Sequence, residues 1–523
     1  MLTLLKQLPK LRLVVGLSCL ALIGAVQAAE PVAASSQASP APKLILNPTS
    51  FAQLLLMRSL EIEYSRYSKE VAERIFAAES ALYESVMYGN YRKTDTQRQR
   101  TTEEKKITVL NQTDPVLIEN AKSVETGIKQ LLPTGAEVTI GARIVERANN
   151  IMAPVVSEIN SALIVTVKQP LLKGAGVTVT EADKRVAEYE SLITAWQSRQ
   201  QLLKVLSEGL SLYWQAHMAH QVAGLRHEMF RTAEALVADA RQRVLAGKLP
   251  PRSIQELDRF RLTRQADWVR YQQNANELQS RLLTQLNYRR IDITGVELQP
   301  HAFEPRVQAS ADGSDVVDYA LDNWAPFQVS RLKVAQARTR LAYAANQRLP
   351  SLDLQYSYSS NGLAEAFRTS ASLVKQNTYP DWWVGFNFEM PLLGNEKAKA
   401  QFQAQNLRVA QAETELSAVR LSLENDLFSK RSEIDSTRKE VAIYQSDVQL
   451  KTALRKSEQL RFEAGLGLVS GLIQSDQDLL EAQIRLLDAK GRLEIARLAL
   501  SLADGTLLET HHVEAVLPPT TLQ

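Results

Sequence analysis

Two long, uninterrupted helical patterns constrain the fold of this chain more than any other feature. The first extends from Pro170 to Gly247 and the second from Pro391 to Gly465, and Ala, Leu, Gln, Glu, Arg and Lys dominate both. This composition is typical of coiled-coil helices. At 1.5 Å per residue, a helix of about 65 residues is ~100 Å long, which exceeds the diameter of a globular domain. The chain is therefore predicted to form an elongated body.

The same short motif precedes both helical patterns. It reads Pro170-Leu171-Leu172 in the first half and Pro391-Leu392-Leu393 in the second, and each copy follows an alternating, strand-like run. Proline cannot continue a sheet ladder, but its fixed φ suits the turn into a helix. We therefore interpret both motifs as strand–helix junctions, and their repetition predicts an internal duplication.

Both helical patterns also end alike, in an Arg-x-x-Ala-Gly turn signal. The two copies consist of Arg243, Ala246 and Gly247, and of Arg461, Ala464 and Gly465. Glycine just after a helix is the usual left-handed C-cap, and a cation in the last turn is favourable. A second helix then returns in each half, predicted over 253–288 and 470–503. Each half is thus predicted to contain a long helical hairpin with a tip.

Four short segments alternate apolar and polar residues with a period of two, which predicts β-strands. They span 135–146, 161–169, 350–359 and 381–390, with tryptophans and tyrosines near strand ends. Such aromatic residues fit the interface girdle of a membrane barrel, with a soluble half-buried sheet as the alternative. Because four strands cannot close a barrel, several chains would have to share one. Two chains would give eight strands and a filled interior; three would give twelve and room for a channel.

The remaining segments are assigned from their composition. We assign 49–290 and 316–504 to the two structural repeats. The first repeat carries an insertion at about 84–132, which is polar and is expected to be a loop excursion, with a strand from Val86 to Tyr91 as the alternative. The other segments are a secretory signal (1–29), a flexible leader (30–48), a linker (291–315) and a polar tail (505–523).

The signal and the single cysteine restrict the class of protein. Cys19 lies inside the signal, so ordinary cleavage leaves no cysteine and excludes disulfides and thiol catalysis. Lipidation at Cys19 is the alternative, although Gly16-Leu17-Ser18 matches a lipobox poorly. The formal charge of +3 gives no indication of nucleic-acid binding. Since no later apolar run is long enough for a membrane helix, a soluble periplasmic, a secreted or an outer-membrane β-barrel protein is expected.

Together these features resemble the TolC-type outer membrane efflux proteins over nearly all of the mature sequence. The shared marks are the duplicated element order, both Pro-Leu-Leu junctions, Leu349-Pro350-Ser351-Leu352 after an Ala-rich helix, and both Ala-Gly tips. The resemblance implies a mainly α fold with membrane β: a homotrimeric 12-stranded outer-membrane barrel, four strands per chain, continued by a long periplasmic α-helical barrel. It also implies docking at the tips to a periplasmic adaptor (membrane fusion) protein and an inner-membrane RND or ABC transporter, without a cofactor.

The second tip departs from the pattern of the better-known members. Those carry Tyr, Arg and two Asp at positions that hold Phe462, Gly467, Gly471 and Gln474 here. Asp476 and Asp478 are candidates for a displaced acidic ring at the gate, with solvated helix charges as the alternative. Arg243 and Arg461 either cap their helices or latch the entrance by pairing with acids such as Glu463, Asp476 or Asp478.

The resemblance implies an outer-membrane channel-tunnel of a tripartite efflux or type I secretion system, with lipid around its barrel. The alternative is a periplasmic adaptor with a long coiled-coil hairpin, but two hairpins with two strand pairs favour the channel. An enzyme is not expected, because no phosphate loop or nucleophile motif is present. His217, His220 and His227 lack a carboxylate or cysteine at metal-ligand spacing, and we interpret them as surface or packing residues. The sequence specifies neither the cargo nor the cognate pump.

Overall fold

The computed structural model describes residues 43–108, 116–150, 157–289, 295–299, 313–392 and 394–511. The predicted signal with Cys19, Leu393 of the second junction, and much of the predicted linker and tail lie outside these ranges. The helices are α1 (Pro48–Arg58), α2 (Leu60–Ser80), α3 (Thr102–Thr108), α4 (Val177–Thr180), α5 (Ala182–Leu245), α6 (Arg252–Gln285), α7 (Gly313–Asn323), α8 (Ala325–Asn346), α9 (Phe367–Lys375), α10 (Glu396–Glu463), α11 (Val469–Ala503) and α12 (Leu507–Thr510). The strands are β1 (Lys43–Leu46), β2 (Val86–Gln99), β3 (Val116–Leu131), β4 (Glu137–Asn149), β5 (Ser157–Pro170), β6 (Gly295–Leu298), β7 (Ser351–Ala364) and β8 (Tyr379–Glu389).

Two long helical hairpins make up most of the chain. The first consists of α5, with 64 residues, and α6; the second consists of α10, with 68 residues, and α11. At 1.5 Å per residue the long arms measure about 95–100 Å. Both arms begin several residues after the Pro-Leu-Leu motifs, at Ala182 and Glu396. In the second hairpin Ile434 of α10 packs on Leu493 of α11. No helix in the described ranges is long and apolar enough to cross a membrane.

A six-stranded sheet has the order β2-β3-β4-β5-β7-β8, and all neighbouring strands are antiparallel. β4, β5, β7 and β8 are the four strands that the sequence predicts. β2 and β3 are additional, so the prediction of four strands per chain is wrong. They lie within 84–132, so the predicted loop excursion is wrong, whereas the alternative of a strand from Val86 to Tyr91 is confirmed by β2. Because Lys93, Asp95 and Lys122 share one face of this hairpin with Tyr91, the apolar alternation in the sequence is interrupted.

The last loop of the sheet folds back onto the strands. α9, between β7 and β8, packs on β7 and β5. The buried hydroxyl of Ser370 donates to the carbonyl of Gly362 at 2.7 Å and accepts from the amide of Ser161 at 3.1 Å. Gly362 is needed here because a Cβ would collide with the backbone of α9.

A second, two-stranded sheet joins distant parts of the chain. β1 pairs in parallel with β6, so residues 43–46, assigned above to the leader, are structured, and so is part of the predicted linker. Leu46 is fully buried with Phe51, Leu206 and Tyr213 in the largest apolar core. The Tyr213 hydroxyl lies 3.0 Å from the carbonyl of Leu46 and 2.7 Å from that of Gln299. This core fastens both short strands to the middle of α5.

Candidate functional site

The six-stranded sheet has two chemically different faces. The pairing register aligns large apolar side chains on one of them, and these side chains are exposed in the single chain. We call it the apolar face; its members are Met87, Tyr91, Val124, Ile128, Ile140, Leu163, Tyr356, Trp382, Val384, Phe386 and Phe388. A contiguous apolar surface of this kind marks contact with lipid or with another protein.

The opposite face, which we call the charged face, carries ion pairs between strands. Arg147 of β4 lies 3.0 Å from Glu119 of β3, and Lys168 of β5 lies 3.1 Å from Asp353 of β7. Asp353 is buried beside its partner. The strands of the sheet have 11–16 residues, at least as long as a membrane-spanning strand needs to be. With one apolar and one polar face, they follow the pattern of transmembrane β-strands around an aqueous interior.

The apolar face itself ends in charged residues at the end of the sheet farther from the helical arms. Lys122 of β3 pairs with Glu146 of β4 at 3.1 Å, and Lys93 lies 3.5 Å from Asp95 on β2. All four side chains follow the apolar positions of their strands in the same register. At this end of β2, β3 and β4 the apolar face is therefore bounded by charged side chains.

The first strand–helix junction is bonded to the second half of the chain. Pro170 is the last residue of β5, and the amide of the next residue, Leu171, donates to the carbonyl of Leu352 at 2.8 Å. The side-chain amide of Asn346, at the end of α8, donates to the carbonyl of Leu172 at 3.0 Å. Asn346 could not be recognised in the sequence, because its role depends on a contact between distant segments.

At the second junction, Asn395 adopts the backbone conformation of the turn into α10. Pro391 follows the end of β8 at Glu389, and Leu392 is 97% exposed. Asn395, directly before α10, has a left-handed φ of 54°, and its side-chain amide lies 3.4 Å from the carbonyl of Arg348. Asparagine adopts this backbone region more readily than other non-glycine residues. An Asn just before a long helical pattern was the signal that could have located this turn.

Both tips close with the same backbone geometry. Gly247 has φ 68° and Gly465 has φ 75°, both in the left-handed region. The amide of the residue after each glycine donates to the carbonyl of Arg243 or Arg461, at 2.8 Å in both tips. This is a Schellman C-cap, which glycine forms without steric strain. The capping glycines at the tips are as the turn signals predict.

The structure packs the two tips against each other. Phe462 lies in a small apolar core with Val237 of α5 and Leu257 of α6. Beyond this core Leu245 and Leu466 are 89% and 77% exposed. These leucines could not be recognised in the sequence, because single apolar residues in a turn carry no periodic signal. They give the end of the molecule an apolar surface without a partner in the described part of the chain.

The tip arginines pair locally in the described residues. The Nε of Arg243 donates to Asp239 at 2.7 Å, and its guanidinium lies 5.2 Å from the ring centroid of Phe462. Arg461 donates to Glu458 at 2.9 Å. Both acids lie one turn earlier on the same helix, the spacing at which side chains meet. Within the described chain, therefore, neither arginine reaches the acids named above as latch partners.

The two candidate gate acids are held inside the second hairpin. Asp476 is 2% exposed and accepts from the Nε of Arg455 at 2.8 Å. Asp478 accepts from the amide of Gln474 at 2.8 Å and from Lys451 at 3.2 Å. These two hydrogen bonds lower the pKa of Asp478. In the single chain Asp476 thus joins α11 to α10 and does not face an open lumen.

Two of the three histidines of α5, His217 and His227, contact tryptophan rings. His217 is buried at the edge of Trp214, 6.0 Å between ring centroids, and burial lowers its pKa. His227 stacks on Trp268 of α6 at 4.7 Å. The described residues contain no group of His, Cys, Asp and Glu able to hold a metal ion. His217 and His227 therefore contribute to helix packing.

Two helices also present apolar stripes that the chain itself leaves uncovered. On α2 the stripe includes Tyr64, Val71 and Ile75, which are 55–76% exposed. On α10 Leu407 and Phe428 are 71% and 77% exposed. Long amphipathic helices normally bury such stripes against a partner. Both stripes thus offer contact surfaces for further helices.

These features define a class of protein. An antiparallel sheet with one apolar and one charged face, the pattern of transmembrane β-strands, is joined to helical hairpins about 100 Å long. Residues 316–506 match the family model of the outer membrane efflux proteins. The resemblance to the TolC-type proteins of this family is thereby confirmed.

Solved structures share the fold at low sequence identity. The outer membrane protein VceC of Vibrio cholerae is 11% identical with a TM-score of 0.60, and the match covers 88% of this chain and 96% of that one. The CmeC outer membrane channel of Campylobacter jejuni is 12% identical with a TM-score of 0.63, covering 88% and 86%. The MtrE outer membrane channel of Neisseria gonorrhoeae, in its open state, is 13% identical with a TM-score of 0.58, covering 88% and 89%. No curated protein matches this chain by sequence. The proteins that it resembles are channels and not enzymes.

Proposed function

We propose that this protein is the outer-membrane channel of a tripartite efflux or type I secretion system and works as a homotrimer. The observation that carries the proposal is the six-stranded sheet, whose apolar face is exposed and whose edge strands β2 and β8 have no partner in the described chain. In lipid each unpaired backbone group costs several kcal/mol, so the edges must be joined by other copies.

The helical hairpins would then form a tunnel that spans the periplasm. The apolar stripes of α2 and α10 lie on different helices, which suits a cyclic arrangement in which each copy contacts the next. The junction residues Pro170, Leu171, Leu172, Pro391, Leu392 and Leu393 would set the change of direction where barrel meets tunnel. Cargo from an inner-membrane pump would pass through the tunnel to the exterior of a Gram-negative cell.

The tips are the proposed contact with a periplasmic adaptor, which links the channel to an RND or ABC transporter. The surface consists of the two tip motifs (Arg243, Ala246, Gly247, Arg461, Ala464 and Gly465) together with the exposed Leu245 and Leu466. Exposed apolar side chains amid polar residues are typical of protein contact sites. The adaptor alternative is not favoured, because the chain has two hairpins and a sheet with an exposed apolar face.

The proposal predicts a carbonate-resistant trimer in the outer-membrane fraction. A closed barrel is held by backbone hydrogen bonds across the subunit edges, so alkaline carbonate should not extract it. The measurement is membrane fractionation followed by native mass spectrometry in detergent. A periplasmic maltose-binding protein serves as the soluble control. Recovery of a stable monomer, or release by carbonate, would contradict the proposal.

The tip arginines allow a second prediction, on the closed state of the tunnel. Arg243 and Arg461 pair within their own helices, so the double variant Arg243→Ala, Arg461→Ala is expected to leave single-channel conductance unchanged. Exposed pairs of this kind contribute about 0.3–0.5 kcal/mol. The measurement is planar-bilayer recording of assembled trimers. A rise in conductance of severalfold would instead support a latch between neighbouring subunits.

A further inference from the structure

We infer that the outlet of this channel is an 18-stranded barrel, with six strands from each of three copies, in place of the twelve strands that the sequence predicts. The inference rests on the proposed trimeric channel and concerns its membrane wall. Its basis is the hairpin of β2 and β3, which occupies the edge of β4 that a 12-stranded barrel would use for closure.

The hairpin is paired with β4 along its full length. Residues 119–131 of β3 pair with 137–149 of β4, leaving β4 no free edge. The far end is fastened as well. The side chain of Asn150, after β4, accepts from the amide of Ile118 at 2.9 Å and donates to the carbonyl of Val116 at 3.1 Å, while Arg100 donates to the carbonyl of Asn150 at 2.7 Å. The end of the ladder farther from the helical arms is therefore fixed by side chains as well as by the backbone.

A close approach of glycines fixes the contact between β3 and β4. Gly127 and Gly141 lie directly opposite each other, and the ring of Tyr88 from β2 lies over both. A Cβ on Gly127 would come within 2.5 Å of the carbonyl oxygen of Ile140 and 2.7 Å of the Cα of Gly141. Tyr88 also hydrogen-bonds Glu125 at 3.2 Å. An aromatic side chain packed over a pair of cross-strand glycines holds the neighbouring strands in register.

The hairpin shares the two faces of the rest of the sheet. Met87 and Ile128 lie in the apolar face, in register with Ile140, whereas Glu125 and Lys129 lie in the charged face. A hairpin folded into the lumen would expose its apolar side chains to water. A hairpin laid against the outside of the barrel would place Glu125 and Lys129 in lipid, where charged side chains are destabilising. Only a place in the barrel wall satisfies both faces.

The direction of the strands permits closure around three copies. β2 leads away from the helices and β8 returns to them, so β8 of one copy runs antiparallel to β2 of the next. Three copies then give an even number of antiparallel strands, as outer-membrane barrels of single chains have. The two edges left free in the single chain, β2 and β8, are thereby both used.

The circumference of an 18-stranded barrel also matches the tunnel. Twelve helices, four from each copy, packed about 9–10 Å apart have a circumference of about 110–120 Å. Eighteen strands about 4.8 Å apart and tilted by about 40° give about 113 Å, whereas twelve give about 75 Å. The barrel is therefore as wide as the tunnel. The helical tunnel, rather than the membrane barrel, then limits the size of the largest cargo.

Disulfide cross-linking tests which strand meets β8 of the neighbouring copy. The sequence contains one cysteine, Cys19, in the predicted signal, so introduced pairs are readily assigned by mass spectrometry. Cysteines at each of three positions of β8 are combined with cysteines at each of three positions of β2, or of β4. The positions are Trp382, Val384 and Phe386 on β8; Met87, Gly89 and Tyr91 on β2; and Val138, Ile140 and Ala142 on β4. After oxidation of intact outer membranes, β8–β2 pairs should give a covalent trimer, and β8–β4 pairs should not.

Excision of the hairpin provides the matched control. Ser85 and Gln130 touch through their side chains at 3.3 Å, so deletion of 86–131 joins two neighbouring points of the chain. In this variant β4 has a free edge, and the same β8–β4 pairs should now cross-link. A β8–β4 cross-link in the full chain, or assembled trimers in which no β8–β2 pair cross-links, would overturn the 18-stranded outlet. Absence of trimers from the outer membrane would instead refute the proposed function, and with it this inference.

Discussion

Phe386→Arg is expected to abolish insertion of the protein into the outer membrane, whereas Asn387→Arg, one residue farther along β8, is expected to leave insertion intact. Phe386 lies in the apolar face and is 68% exposed, while Asn387 lies in the charged face. Arginine on the lipid face of a barrel costs about 2–4 kcal/mol near the bilayer midplane, but substitutions facing the lumen are tolerated. In a trimer the cost applies three times.

The measurement is the yield of heat-modifiable, carbonate-resistant trimer in the outer-membrane fraction for the two variants. The pair is matched because both substitutions introduce the same side chain into the same strand. If both variants assembled equally well, Phe386 would not contact lipid, and the assignment of the apolar face to the outside of the barrel would be wrong. Equal failure of both variants would indicate a general defect of β8, which Asn387→Gln would then identify.

Arg455→Met is expected to destabilise the second hairpin strongly. It removes the ion-pair partner of Asp476, which is 2% exposed. Loss of one member of a buried ion pair costs on the order of 3–5 kcal/mol. Because the Arg455 side chain is 30% exposed, we expect about 2–3 kcal/mol, below the range for fully buried pairs.

Lys451→Met is the matched control for this prediction. It removes the partner of Asp478 one turn away, where both side chains are about a third exposed and the expected loss is under about 1 kcal/mol. The measurement is chemical unfolding of trimers followed by circular dichroism at 222 nm. If Arg455→Met left stability unchanged but raised channel conductance, Asp476 would be a gate acid in the assembled tunnel rather than a structural one.

The helical part of the fold could be predicted because its signals are local and periodic. Gly247 and Gly465 locate the ends of both arms, and the return helices follow within a few residues of their predicted starts. The strands β4, β5, β7 and β8 were also recognisable, since apolar and polar residues alternate along each of them. These signals depend on the neighbours of a residue in the chain.

The additional hairpin and the short strands could not be predicted in the same way. Lys93 and Lys122 interrupt the alternation of β2 and β3, so only the start of β2, from Val86 to Tyr91, was recognisable as an alternative strand, and β3 was not recognisable. β1 and β6 have four residues each and are parallel across 250 residues of chain. Strands so short and so distant have no period to detect.

The role of Asp476 was open to a simple test on the sequence. Arg455 lies ten residues before Gly465 and Asp476 eleven after it, so a hairpin closed at this glycine places them opposite each other. Comparison with the acids of related tips does not identify this pairing. Counting outward from the turn is therefore a useful way to find partners in a long helical hairpin.

The placement of the hairpin has a consequence for evolution and engineering. The chain enters β2 and leaves β3 at adjacent points, so a hairpin can be gained or lost there as one in-frame segment. Each such change alters a trimeric barrel by six strands, while the tips more than about 100 Å away keep the same residues. The width of the barrel at the cell surface can then change without altering the tips that would contact an adaptor and its pump. The β3–β4 turn is a suitable place to insert a further hairpin.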